Sequence, residues 1–280
     1  MNEKIIAFSS ASAILYGLWG TFIAVSLKLG MSPAAAGSVT YITASLAGLA
    51  LSAGKLLPPK REWAASGLLF ASANFLLFTI MKLSYLSSAY VFVPSSILVF
   101  YFISFKRSRP RGSEAVRVSA AVALVTAGMV VSQISGPLGF NLMDLTIGLI
   151  IACLYGVASY LTAYSTVEGY EMVESFWITF FELFVFLPLT ILSAHGFALS
   201  AAILGVLAGI CVSAGVYLEL ASYNMSRRLG DRFRLMNFIN VLTNLDSVFI
   251  AVASVLLGSF TGFSIAGLLL VFIGAGFFFS

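Results

Sequence analysis

Ten apolar stretches, each about one bilayer long, follow one another along this 280-residue chain and leave almost nothing over for a water-soluble domain. A helix crossing the hydrocarbon core needs about 20 predominantly apolar residues. Such runs fall near residues 5–27, 33–53, 63–82, 86–105, 116–134, 145–167, 172–194, 200–223, 235–257 and 262–279. They are apolar on every side, whereas strands of a transmembrane barrel would alternate apolar and polar residues. The predicted fold is therefore an all-α integral membrane protein of ten transmembrane helices. Charged residues make up only 9% of the chain, against roughly 25% in an ordinary soluble domain.

Charge then orients the bundle. With the N-terminus inside, every Lys and Arg except Lys28 and Lys82 falls on the cytoplasmic side, as the positive-inside rule requires. Both termini are predicted cytoplasmic, and the cytoplasmic membrane of a cell is the expected location. The isoelectric point near 9.1 would suggest a nucleic-acid partner in a soluble protein. Here the basic residues cluster in short loops beside the membrane, and the lipid bilayer is the expected partner. The basic segment 105–112 and the Arg227–Arg228 pair read first as topology anchors and second as headgroup or partner sites. The first run is too long for a signal-peptide core and is read as a mature helix.

A repeat is visible inside this pattern. Leu15-Tyr16-Gly17 in the first run returns as Leu154-Tyr155-Gly156 in the sixth, 139 residues later, and Gly30 and Gly169 share that offset. The ten runs divide five and five, so two repeats are predicted, residues 1–139 and 140–280. An odd number of crossings per half makes the second repeat enter from the opposite side. That is the inverted-repeat plan of many secondary transporters.

The layout resembles the drug/metabolite transporter superfamily, in particular its ten-helix EamA-type branch, along the whole chain. Leu15-Tyr16-Gly17-Leu18-Trp19-Gly20 is similar to the aromatic-glycine start of that module, and residues 81–89 are similar to its tight turn between helices 3 and 4. Pro94 in the fourth run and the glycines at 128, 267, 274 and 276 fit the same module. The ninth run departs from it in having no proline, and Gly258-Ser259-Phe260 stands where the family often has a glycine followed by an acid. The resemblance implies a carrier of small metabolites or drugs, often an exporter, working by alternating access.

Three acidic residues, Glu182, Glu219 and Asp246, fall inside predicted helices 7, 8 and 9. A carboxylate at membrane depth costs at least roughly 2.5 to 3.5 kcal/mol and normally faces a bundle interior or a cavity on an ion or substrate path. Low dielectric favours a neutral acid, so one buried carboxyl group can exchange a proton against a cationic substrate. At about 100° per residue Glu182 shares a face with Glu171 and Glu174, which suggests either an acidic approach or two solvated acids at a helix N-terminus. Glu219 has Ser222 and Tyr223 three and four residues on, which permits a local hydrogen bond.

Polar residues in the apolar runs complete the set. Asn237, Asn240, Asn244 and Ser247 lie within about 80° of one another on a helical projection, with Thr243 at their edge and Asp246 on a neighbouring face. Such amides either join helices or line a cavity for a solute with several hydrogen-bonding groups. Ser12, Tyr16 and Trp19 share a face of the first helix, and Tyr155, Ser159 and Thr162 share the related face of the sixth; packing and an aromatic-lined cavity are the two readings. Asn74, Pro94 and Pro188 are candidates for broken or hinged helices. Lys82 snorkels outward or gates the outer mouth.

Other function classes find less support. No histidine pair, nucleophile turn or phosphate-binding glycine loop marks an enzyme, and no carbonyl filter or charged ring marks a channel. No metal or other cofactor is expected, since His195 alone cannot build a metal site. Cys153 and Cys211 fall inside helices and are expected to act as small buried apolar side chains. The expected partner is a small-molecule substrate, with protons as a candidate coupling ion. Two readings remain: export of amino acids or similar polar metabolites, and proton-coupled efflux of cationic drugs. A monomer is expected, with a dimer as the alternative.

Overall fold

The computed structural model describes residues 3–52, 54–55, 57–83, 93, 95–110, 112–133, 142–193, 198–229 and 232–246, and beyond these 266, 269, 270, 273, 274 and 277. Nine helices are described: α1 (Glu3–Lys28), α2 (Pro33–Leu51), α3 (Arg61–Leu83), α4 (Ser96–Ser108), α5 (Gly112–Gln133), α6 (Leu142–Ser165), α7 (Glu171–Ser193), α8 (Leu199–Arg227) and α9 (Arg232–Thr243). Each falls on one of the predicted runs. Six of them, α1, α2, α3, α6, α7 and α8, are long and apolar enough to cross a membrane. The protein is all-α among the described residues. Its outer surface exposes Leu46, Phe102, Ile191, Leu192 and Ile210, which suits hydrocarbon rather than water.

Local chemistry sets the turns. Gly30 ends α1 in the left-handed conformation, φ 98°, where a side chain would be strained. Ser32 then caps α2, accepting from the Ala35 amide at 3.1 Å, and Pro33 occupies the first helical position. Gly169 takes the same left-handed conformation, φ 80°, between α6 and α7.

Neighbours in sequence are not the main neighbours in space. The most extensive packing joins residues before 139 to residues after it: α1 lies on α8, α2 on α7 and α8, α3 on α6 and α7, and α4 on α6. Small residues make these crossings close. A side chain on Gly37 of α2 would overlap the Phe186 ring of α7, and one on Gly209 of α8 would meet the Thr40 carbonyl. Hydroxyls bond backbone carbonyls across the crossings, Ser12 to Gly215 at 2.9 Å, Ser26 to Ala201 at 3.1 Å and Ser66 to Ala158 at 3.1 Å. Where lipid offers no hydrophobic drive between helices, such packing and polar contacts hold a bundle together.

Some expectations are corrected. Cys153 is exposed and Cys211 only partly buried, because α6 turns Cys153 away from its contacts with α3 and α4. The fourth helix is described only from Ser96, and Pro94 lies outside the described residues. So do Ser247, the second half of the ninth run, Gly258-Ser259-Phe260 and His195. Pro188 stands inside α7, which continues to Ser193, with its ring on an exposed face.

Candidate functional site

Phe186 anchors one wall of the bundle core, packed on Tyr41, Phe75 and Phe78 at ring separations of 5.3, 6.1 and 5.8 Å. Beside this aromatic cluster lies a cavity of about 640 Å³, mouth included. Its walls come from both halves of the chain. Helices α1, α2 and α3 contribute Tyr16, Trp19, Tyr41 and Asn74, and α6, α7 and α8 contribute Tyr155, Glu182 and Glu219. Asn244 and Asp246 close it from the end of α9, and Val212 and Val216 supply apolar wall from α8. No lysine or arginine stands among its described lining residues.

The three carboxylates are buried, Glu182 at 3% exposure and Glu219 and Asp246 at 7% each. Two hydrogen-bonded groups hold the first two. The Asn74 amide nitrogen donates to Glu182 at 3.2 Å and to the Tyr41 hydroxyl at 2.6 Å, and the Asn74 oxygen accepts from the Tyr155 hydroxyl. Asn74 of α3 thus holds Glu182 of α7 and ties it to Tyr41 of α2 and Tyr155 of α6. The second group is simpler: Tyr16 of α1 donates to Glu219 of α8 at 2.7 Å. Such hydrogen bonds are worth about 0.5 to 1.5 kcal/mol to a neutral acid and about 1.5 to 3 kcal/mol to an ionised one, so both carboxyl groups are oriented rather than loose.

Ten of the residues singled out from the sequence therefore meet at one cavity: Tyr16, Trp19, Asn74, Tyr155, Ser159, Glu182, Glu219, Thr243, Asn244 and Asp246. Others lie elsewhere. Asn240 is buried behind the wall, where its oxygens accept from Asn244 at 2.7 and 3.3 Å. Asn237 joins helices instead, donating to Ser104 of α4 at 3.2 Å. Lys82 reaches back over the α1–α2 turn, donating to the carbonyls of Met31 at 2.7 Å and Gly30 at 3.3 Å.

Neither reading of the Glu171 and Glu174 face survives in full. Glu174 is fully buried, accepting from Ser165 at 3.4 Å and the Val167 amide at 3.3 Å. Glu171 accepts from Asn224 at 2.7 Å. The two acids brace the α6–α7 turn, and neither lines the cavity. Ser222 bonds the Leu218 carbonyl at 2.9 Å rather than Glu219. Tyr41, at the centre of the Glu182 group, is the residue that sequence reasoning missed. Its only signal was a lone hydroxylated ring among the small residues of α2.

Comparison with solved structures finds the same fold in a protein of known crystal structure, with a TM-score of 0.75 at 16% identity. The match covers 99% of this chain and 96% of that one. Likeness at this identity concerns the fold alone. No family model matches the chain, and no curated protein matches it by sequence.

Proposed function

We propose that this chain is a secondary transporter of the drug/metabolite type. It has ten membrane crossings in two inverted repeats, residues 1–139 and 140–280, and moves small polar metabolites across the cytoplasmic membrane by alternating access, in the direction of export. The observation that carries the reading is the convergence of three buried carboxylates, three phenols and two amides on one interior cavity walled by both halves. Ionisable groups at this depth normally serve an ion or substrate path.

The helix contacts support the repeat. Exchanging each helix with the one five places on carries the α1–α8 contact onto α6–α3, α2–α8 onto α7–α3, α4–α6 onto α9–α1, and α2–α7 onto itself. Finer detail agrees. The Tyr16 ring lies against Gly215 and its hydroxyl bonds Glu219 four residues on; the Tyr155 ring lies against Phe70 and its hydroxyl bonds Asn74, again four residues on. Gly30 and Gly169 end the corresponding first helices, both with positive φ. A site between the repeats is where such carriers bind their solutes, and one chain encloses it, so a monomer suffices.

The wall carries acids and no described lysine or arginine, which favours a solute with a cationic group. A zwitterionic amino acid meets that requirement, and so does an organic cation driven out against protons. Substrate-induced charge movement in proteoliposomes, across amino acids, sugars, nucleosides and organic cations at two pH values, decides between them. A saturable signal lost in Glu182→Gln is the expected result. Ohmic current without saturation would replace the carrier by a channel. Transport with unchanged pH dependence in both Glu182→Gln and Glu219→Gln would remove proton coupling.

A further inference from the structure

The bundle has a second cavity, about 870 Å³ with its mouth, that shares no lining residue with the first. It lies where the start of α3 and the ends of α4, α6 and α8 meet, and its wall carries Lys60, Arg107 and Arg227 with Tyr160, Tyr164 and Thr166. A fourth cation, Arg232 at the start of α9, lies 4.8 Å from the centre of the Tyr164 ring, which Arg107 also faces at 4.7 Å. Two acids stand nearby, fewer than the four cations, and Glu174 is felt electrostatically by Lys60 and Arg227 without forming a direct ion pair with either. Glu62 shares the wall, and Glu174 is turned inward to Ser165 and Val167. Among the described residues the ion pair is Arg228 with Glu168, on the exposed surface.

The cations are positioned from beneath. Arg107 donates to the Tyr160 hydroxyl at 3.1 Å, and Lys60 to the Ser165 carbonyl at 3.2 Å. Arg227 spends its terminal nitrogens on the last carbonyls of α6, those of Ala163, Tyr164 and Thr166. Three polar atoms beside them are buried without a hydrogen-bond partner in the protein: Arg227 Nε, the Tyr164 hydroxyl and the Thr166 hydroxyl. Thr166 is only 2% exposed. Buried polar groups are normally satisfied, and each of these three can donate. Guanidinium and hydroxyl donors gathered under excess positive charge form the recognition chemistry of a tetrahedral oxyanion.

From this arrangement we infer that the second cavity is a binding site for a phosphate group, carried either by an anionic lipid headgroup or by a soluble phosphate. The two sources share the same donors. Basic pockets between membrane helices hold headgroups on the side where basic residues collect, and a soluble phosphate reaches the same mouth from water. The site stands independently of the transport reading, since no residue of the acidic cavity takes part.

The test uses the purified full chain in phosphatidylcholine nanodiscs, titrated with inorganic phosphate by calorimetry, and in parallel mixed micelles of phosphatidic acid and phosphatidylcholine followed by native mass spectrometry. Saturable phosphate binding assigns a soluble ligand; selective retention of phosphatidic acid without phosphate binding assigns a headgroup. In either case Arg107→Gln weakens binding by roughly tenfold, the loss of a charge-assisted contact. Thr166→Val, which removes a hydroxyl and no charge, weakens it less and carries the test if the arginine variant does not fold. Binding of neither probe, or equal retention by wild type and both variants, would overturn the site.

Discussion

Two tyrosines at corresponding places in the two halves do different work. Tyr16 donates to a carboxylate, Glu219, at 2.7 Å, whereas Tyr155 donates to an amide, Asn74, which in turn donates to Glu182 at 3.2 Å. Among the described lining residues every carboxylate comes after residue 139, while phenols and amides come from both sides of that point, Tyr16, Tyr41 and Asn74 before it and Tyr155 and Asn244 after it. One acid is therefore gripped directly by a phenol. The other sits at the end of a relay that draws on α2, α3 and α6. On the proposed repeat, the shared module fixes where groups point, and substitution within one copy decides which of them can carry charge.

The largest expected effect is at the relay's end. Glu182→Gln keeps the shape but removes the titratable group to which Asn74 donates, a hydrogen bond worth about 1.5 to 3 kcal/mol when the acid is ionised. Initial transport rates in proteoliposomes should fall roughly 100-fold, and an unchanged rate would remove Glu182 from the path. Asn74→Leu comes next, because it strands Glu182 and Tyr155 together; at about 1 to 3 kcal/mol for each buried polar group left unpaired, a clear drop in melting temperature in detergent is expected.

Smaller differences sharpen the comparison. Tyr16→Phe deletes a bond to a carboxylate, about 1.5 to 3 kcal/mol, and Tyr155→Phe a neutral one, about 0.5 to 1.5 kcal/mol. The first should cost more in stability, and equal losses would mean that Glu219 is not charged when Tyr16 holds it. A double-mutant cycle of Tyr16→Phe with Glu219→Gln should show a coupling of about 0.5 to 3 kcal/mol, while Tyr16→Phe with Asn237→Ala should be additive. Asn237→Ala alone should lower stability through its lost bond to Ser104 and leave solute selectivity unchanged, which transport of a substrate panel would check.

Much of this was legible in the sequence. The apolar runs located the helices, and the cost of burying charge turned Glu182, Glu219 and Asp246 inward. The recurring Leu-Tyr-Gly singled out Tyr16 and Tyr155, and both line the cavity. Partners were not legible. Tyr16 and Glu219 are 203 residues apart, and no local spacing announces such a meeting. Helices apolar all round have no periodicity to fix which side faces inward, so Cys153 was expected inside and found outside. The same lack hid Tyr41, fully buried in a run of small residues, and left Asn240 and Asn244 indistinguishable, although only Asn244 reaches the cavity.

The glycines at the helix crossings carry a mechanical consequence. Each described glycine whose missing side chain would collide with a neighbour meets a residue of the opposite half, as Gly37 meets Phe186 and Gly209 meets Thr40. Large side chains of one half seat in the gaps that glycine leaves in the other, the Phe186 ring on Gly37, Tyr16 on Gly215 and Val99 on Gly156, the knob-and-hole fit that holds two helices in register. A methyl group added at any of these glycines would have to push the two sets of helices apart.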